Sequence, residues 1–332
     1  MKQSMERIKT GANIVIKSWM RLKPWENLLI VTSNQYIKEA QLLKQCAAKR
    51  GARADLMIVE RTGKQVGVFF DEQEDIFRGY KAIIGATDYS IVTTKAAKKA
   101  IERGSKFLSL PLLTGDGRSL LGYRFLQMDT KKSKMMAQVI MSYLDEGSTI
   151  DVRTSAGTSL KFYTRNRSAG FFNGVVKDGG GYSSASIEAY VPIEETMTKG
   201  TMVVDGSLGY IGGVKEAVQV ELAAGRITQI ADNEDGQRLQ AYIEQYTDEG
   251  MYVASELGIG LNSYAKCRGS SYIEDESAYG TFHIGFGRNL ALGGVHQASG
   301  HFDIVGRDPD IYVDNRMIME RGKIIVPEPQ VY

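Results

Sequence analysis

Between Gly280 and Val305 the chain reads GTFHIGFGRNLALGGVHQASGHFDIV, and this stretch holds every histidine of the protein: His283, His296 and His301. Asp303 follows two residues after the last of them. Neutral imidazole and carboxylate are ligands that divalent first-row metals take readily. In Gly300-His301-Phe302-Asp303-Ile304-Val305 polar and apolar residues alternate as on a strand, which predicts His301 and Asp303 on one face, able to chelate one ion. His283 lies in a second alternating run, Thr281-Phe282-His283-Ile284-Gly285-Phe286-Gly287, whose glycines leave room for a neighbouring backbone or a ligand. A lone strand histidine is commonly a hydrogen-bonded core residue. A cluster of them beside an aspartate points instead to half of a metal site.

Two other stretches offer carboxylates in unusual settings. Glu194 and Glu195 follow Val191-Pro192-Ile193, and Glu256 is enclosed in Val253-Ala254-Ser255-Glu256-Leu257-Gly258-Ile259-Gly260-Leu261-Asn262. An ionised carboxylate buried in such a run is costly unless it is paired or bound to a cation. Asp275 and Glu276, in Ile273-Glu274-Asp275-Glu276-Ser277, suit a solvated turn equally well. Nucleophilic triads have no local support, since there is no G-x-S-x-G elbow and neither Cys46 nor Cys267 has a histidine nearby.

Composition narrows the classes further. Hydrophobic residues make up 43% and charged residues 24% of 332 positions, with a net charge of +2, which is ordinary for a globular enzyme. No long basic run suggests a nucleic-acid partner. The 2 cysteines form neither a C-x-x-C pair nor a disulfide framework, which suits a reducing compartment. Residues Met1 to Trp19 lack the unbroken apolar core of a signal peptide, and no run is long enough to span a bilayer, so a cytoplasmic protein without a membrane partner is expected.

Elements that must position these residues can be traced from the N-terminus. Ile8, Ala12, Val15, Ile16 and Trp19 predict an amphipathic first helix ending before Pro24. Leu28 to Thr32 reads as a buried strand, Ile37 to Ala47 as a helix stopped by Gly51, and Ala54 to Val59 as the next strand. The pattern repeats with a strand at Ala82 to Ala86, a helix at Lys95 to Arg103 and a strand at Lys106 to Leu110, and a last helix carries Met136, Val139, Ile140, Tyr143 and Leu144 on one side. The first βα turn, Val31-Thr32-Ser33-Asn34-Gln35, has no glycine, so NAD or FAD is not expected.

Glycine rises from 11 in residues 1 to 150 to 25 in residues 151 to 332, and short alternating segments replace the helical periodicity. Thr149 to Thr154, Ser159 to Thr164 and Met202 to Asp205 read as half-exposed strands, and one helix, with Asp232 as its cap, buries Leu239, Tyr242, Ile243 and Tyr246. Asp178-Gly179-Gly180-Gly181-Tyr182 reads as a mobile turn rather than a phosphate nest, because no Lys-Ser/Thr helix start follows it. The expected architecture is an α/β N-terminal domain of parallel βαβ units over residues 1–148 and a β-rich (α+β) catalytic, metal-binding domain over residues 149–332.

The ordered series P-x-E-E, E-L-G-I-G-L-N, D-E before H-I-G-F-G, and H-x-D resembles the metal-dependent aminopeptidases that include aminopeptidase T, aminopeptidase S and streptococcal PepS. Thr93 to Ala97, Gly104 to Pro111 and Val152 to Leu160 extend the likeness over nearly the whole chain. What the resemblance implies is a two-domain homodimer acting on a peptide or small-molecule substrate. Glu195, Glu256, His283, His301 and Asp303 would ligate two divalent ions (Zn, Co or Mn), which activate a water against a peptide or amide bond, with Glu256 serving as ligand or base. The family's active-site tyrosine, seven residues after the first histidine, falls on Leu290. Loss of that phenol would cost amide hydrolysis.

The segment between His283 and His301 is also shorter than in the peptidases. That compactness points to a relative on the same scaffold, the 2,5-dihydroxypyridine 5,6-dioxygenase group, which implies one Fe(II) held by His283, His301 and Asp303 as a two-His, one-carboxylate face. Glu195 and Glu256 would then lie behind the ligands or against the substrate, and His296 would act as acid or base. A third alternative is a catalytically silent relative that binds no metal.

Overall fold

Leu28 to Val31 form an unbroken apolar run, the pattern of a strand covered on both faces. In the computed structural model, which describes residues 4–60 and 63–327, that run lies in the strand Asn27–Ser33 of a parallel sheet. Its strands are ordered Arg53–Val59, Asn27–Ser33, Ala82–Ala86, Lys106–Ser109 and Gly181–Ser184. Every pairing in it is parallel. Helices Ile37–Lys49 and Lys95–Glu102 supply crossovers, and Thr94 caps the second by accepting from the Ala97 amide at 3.4 Å. The first helix is regular only over Met5–Ile14; it then widens into a π-turn, Val15–Trp19, in which Val15, Ile16 and Trp19 are all buried.

The glycine-rich stretch turns at 178–180 and then enters the fifth parallel strand at Gly181. Gly180, at φ +118°, runs so close to Gly104 that an added Cβ would sit 2.9 Å from its carbonyl oxygen, so the approach requires glycine. This addition also moves the domain boundary. The chain divides into one compact unit of Met1–Thr130 with Phe172–Ser186 and a second of Lys131–Phe171 with Ile187–Tyr332, rather than at 148/149. Backbone pairing claims Gly181–Ser184 for the first unit. The helix Thr130–Glu146 runs into the second because Tyr143 receives a 3.0 Å hydrogen bond from Arg316, whose guanidinium lies 4.5 Å over the ring.

In the second unit an eight-stranded antiparallel sheet runs in the order Arg226–Ile230, Val218–Ala223, Lys199–Val204, Ser159–Tyr163, Thr149–Arg153, Asp310–Val313, Arg316–Glu320 and Lys323–Ile324. The helix Glu234–Glu244 buries Leu239, Tyr242 and Ile243 as its periodicity predicts, but Asn233 rather than Asp232 caps it, accepting from the Gly236 amide at 2.8 Å. A further antiparallel sheet contains Ile187–Pro192, Ala254–Gly260, Thr281–Gly287 and His301–Arg307 as neighbours. An α/β first unit and a second unit rich in antiparallel sheet are the expected fold classes. Among the described residues no helix is long and apolar enough to cross a membrane.

Lys106 is a buried cation of the first unit. Its Nζ lies 2.6 Å from Glu26 Oε2 and donates to the Met20 carbonyl at 3.0 Å. Lys106→Met would leave the Met20 carbonyl without this donor and the Glu26 carboxylate with the Lys23 amide at 2.9 Å but no countercharge, and is expected to cost about 2–3 kcal/mol. An earlier urea transition, largely restored when Glu26 is also replaced by Gln, is the outcome to look for.

Candidate metal centre

Strand register brings the site together. Glu256 pairs with Gly285 and Gly285 with Asp303, while His283 lies opposite Gly258, His301 opposite Gly287 and Glu188 opposite Gly260. Residues two apart on a strand share a face, so Glu188, Glu256, His283, His301 and Asp303 all project from one side of the sheet. Leu257, Ile259, Phe282, Ile284, Phe286, Phe302 and Ile304 fill the other and are buried. The alternation that suggested strands therefore separates an apolar face from a chemical one.

Glycines make the chemical face possible. A Cβ on Gly285 would lie 2.7 Å from His301 Cε1, 2.9 Å from Asp303 Oδ1 and 2.9 Å from Glu256 Cβ, so its missing side chain is the gap around which these three meet. Gly258 does the same for His283, whose Nε2 would be 1.9 Å from an added Cβ. Two groups of prospective ligand atoms result, Glu256 with His301 and Asp303, and Glu188 with Glu256 and His283, each with its atoms within 4.8 Å of one another. Glu256 belongs to both.

Electrostatics favour a cation here. Glu188, Glu256, Glu276 and Asp303 are each under 5% exposed, and only two imidazoles stand among them. His301 Nδ1 hydrogen-bonds the Arg288 carbonyl at 2.9 Å, which fixes the tautomer. Its Nε2 then faces Glu256 Oε2 at 3.2 Å and Asp303 Oδ1 at 3.3 Å, two acceptors that need something positive between them. Burial alone would lower the pKa of His301, yet Asp303 and Glu256 hold it well above its ordinary value. His283 behaves likewise: against burial, Glu188 at 2.8 Å pushes it up to about 9. Burial, reinforced by neighbouring carboxylates, raises Glu256 and raises Glu276 strongly. His283 Nδ1 and Asp303 Oδ1 are buried without a hydrogen-bond partner. Unspent donor atoms, a glycine gap and surplus negative charge fit a divalent cation.

The expected ligands do not all fall in one group. His283 shares a group with Glu256 but not with His301 or Asp303. Glu195 is elsewhere, with its carboxylate accepting from Arg167 at 2.6 Å and from the Asn289 side chain and the Val295 amide at 2.9 Å each. These donors outweigh burial and keep its pKa below the ordinary carboxylate range. It anchors the loop that leads to His301. His296 also stays outside, its Nε2 bonded to the Gly250 carbonyl at 2.9 Å. Leu290, where the peptidases have tyrosine, is 40% exposed.

Three residues of the cluster escaped sequence reasoning. Glu188, in Ile187-Glu188-Ala189-Tyr190-Val191, carries the same signal as Glu256, an acid inside an apolar strand. Glu276 lies not in a solvated turn but on a buried helix, Tyr272–Ser277, started by the Ser271 side chain, which accepts from the Glu274 amide. Tyr272 donates its phenol proton to Asp303 Oδ2, and nothing in its local sequence announces this.

Comparison with known proteins adds a family. The family model described as NicX, 2,5-dihydroxypyridine 5,6-dioxygenase, matches residues 121–326. Among curated proteins the chain is similar to the 2,5-dihydroxypyridine 5,6-dioxygenase of Pseudomonas putida KT2440, 29% identical over 145 residues, which are 40% of this chain and 41% of that protein. Among solved structures it is similar to 2,5-dihydroxypyridine dioxygenase from P. putida KT2440, with a TM-score of 0.77 and 18% identity over 98% of this chain and 99% of that one. It is also similar to AmpT from Thermus thermophilus, with a TM-score of 0.67 and 12% identity over 97% and 99%. At these identities the structural likenesses show the fold. The family model and the curated relative both fall on the dioxygenase side of the resemblance, and the aminopeptidase side is represented by fold.

Two outcomes are expected. Gly285→Ala fills the gap between Glu256, His301 and Asp303, and should weaken zinc or ferrous binding by about 100-fold in calorimetry while circular dichroism is unchanged. Asp275, fully buried with Oδ1 accepting from the Arg268 amide at 2.7 Å and the Gly269 amide at 3.0 Å, has its pKa pushed up by burial to about 6. An unfolded aspartate titrates near 3.9, so the folded protein binds more protons over roughly pH 4 to 6 and loses stability from this group as pH rises through that window. Asp275→Asn keeps the acceptor and removes the charge, so between pH 4 and pH 7.5 it should gain on the wild type by up to about 3 kcal/mol in urea melts.

Proposed function

The chain belongs to the 2,5-dihydroxypyridine 5,6-dioxygenase family, and on that premise we propose that it is a mononuclear non-haem Fe(II) dioxygenase that opens a hydroxylated, electron-rich aromatic ring of the dihydroxypyridine type. The observation that carries this reading is that the matched stretch, residues 121–326, contains Glu188, Glu256, Glu276, His283, His301 and Asp303, the whole buried cluster. Glu256, His301 and Asp303 would hold the ion, with His283 the remaining imidazole on the adjacent strand. A bound ferrous ion would supply the open-shell chemistry that allows oxygen to react with such a ring.

The chain's own residues prepare that chemistry in three ways. Arg288, through its carbonyl, keeps the proton of His301 on Nδ1 and leaves Nε2 to face the carboxylates. Glu195 ties the 289–295 loop to Arg167, which holds the entry to the His301 strand. Glu276, buried beside the ligand carboxylates and outside the ligand set, is the group suited to exchange a proton with a ring hydroxyl.

One observation favours a second reading. Two ligand groups joined through Glu256 are what a two-cation hydrolase would need, with the shared carboxylate between the ions. Metal stoichiometry and substrate class separate the two. Protein loaded anaerobically with one equivalent of Fe(II) is expected to consume oxygen one-to-one with loss of 2,5-dihydroxypyridine absorbance, and His301→Ala to abolish both. Binding of two equivalents of zinc or cobalt, with release of amino-acid anilides and no oxygen uptake, would replace the dioxygenase reading with the hydrolase.

A further inference from the structure

Asp303 has two oxygens with different surroundings. Oδ1 faces the Gly285 gap and His301 Nε2, 3.3 Å away, without a hydrogen-bond partner. Oδ2 accepts the phenol proton of Tyr272, the first residue of the helix Tyr272–Ser277. Tyr272 is itself clamped. The Tyr210 ring stacks on it with centroids 4.2 Å apart and planes 23° from parallel. Gly209, next to Tyr210 and at φ +57°, comes so near that an added Cβ would lie 2.5 Å from the Asp303 carbonyl oxygen and 3.5 Å from Tyr272 Cδ2. One turn of backbone therefore braces both the aspartate and the phenol that holds it.

We infer that Tyr272 is a positioning residue: it reserves Oδ2 of Asp303 for the protein and presents Oδ1 alone to the cation, so that the aspartate ligates through one oxygen. A free carboxylate can ligate through one oxygen or two, and the second mode takes a coordination position that substrate or oxygen needs. A donor held against Oδ2 disfavours that mode and fixes the rotation of the carboxylate about its last bond. Partners of this kind are typically worth 10–100-fold in metal affinity. The inference rests on Asp303 being a ligand.

Cobalt(II) tests it on the full-length protein without turnover, since its visible d–d bands report affinity and coordination number together. Tyr272→Phe, which keeps the ring and its stack on Tyr210, is expected to bind Co(II) about 10–100-fold more weakly and with a lower band intensity, as Asp303 swings to two-oxygen ligation. Tyr210→Leu, which keeps the phenol but loosens it, should move both readouts the same way by less, and this holds the question open to test should Tyr272→Phe fold poorly. Tyr242→Phe removes a phenol that bonds the Tyr246 hydroxyl at 3.0 Å and should leave the cobalt spectrum as in the wild type. The proposal is overturned if Asp303→Ala loses cobalt while Tyr272→Phe and Tyr210→Leu keep both affinity and spectrum. Unaltered cobalt binding by Asp303→Ala would instead remove Asp303 from the ligand set, and the role of Tyr272 with it.

Discussion

Surplus negative charge, buried on one face of an antiparallel sheet, is the constraint on which the second unit turns. Glu188, Glu256, Glu276 and Asp303 are all buried, and the two imidazoles among them cannot neutralise them all even when doubly protonated. Isolated carboxylates in such surroundings would shift their pKa and neutralise, or the strand carrying them would not remain inside. The strands stay inside and the first response holds: burial raises the carboxyls of Glu256 and Glu276, and the carboxylates around them hold His283 and His301 above free imidazole. A divalent cation would meet the same field and satisfy it better, because it can be shared by several oxygens at once.

The strands tolerate this face because their other face is entirely apolar, and because glycine recurs wherever a ligand side chain needs room. Gly258 and Gly285 interrupt the chemical face beside His283 and between Glu256 and Asp303. Glycine within a strand weakens it by lost packing and added backbone entropy. Here that cost is offset by a sheet whose apolar side buries Phe282, Phe286 and Phe302, with the last two rings stacked at 5.4 Å. Rigidity on one side is what permits open space on the other.

Around this centre the remaining polar residues act as supports. Glu195 secures the loop before His301, the Arg288 carbonyl orients the imidazole, and Tyr272 occupies one oxygen of Asp303. A hydrolase using two cations and a dioxygenase using one would both need buried carboxylates and imidazoles, and would differ in how many ions are held and which positions stay open. A fold shared at 12% and 18% identity leaves that choice to individual side chains.

Much of this was legible without coordinates, for local reasons. Hydrophobic alternation marks the strands of the second unit, apolar runs mark the parallel strands of the first, and the spacing of His301 and Asp303 places both on one face because the side-chain period of a strand is two. Glu256 betrayed itself as an acid inside an apolar run, and Glu188 carried the same mark unread. Tertiary structure alone decided what depends on register between distant strands. It set Gly285 between Glu256 and Asp303, brought the 272–277 helix onto the chemical face so that acids suited to a turn became buried, and sent Glu195 to Arg167 rather than to the cluster. It also returned residues 181–184 to the first unit, across a boundary that composition had put at 148/149. Periodicity along a strand reports which way a side chain points, but not what the neighbouring strands set beside it.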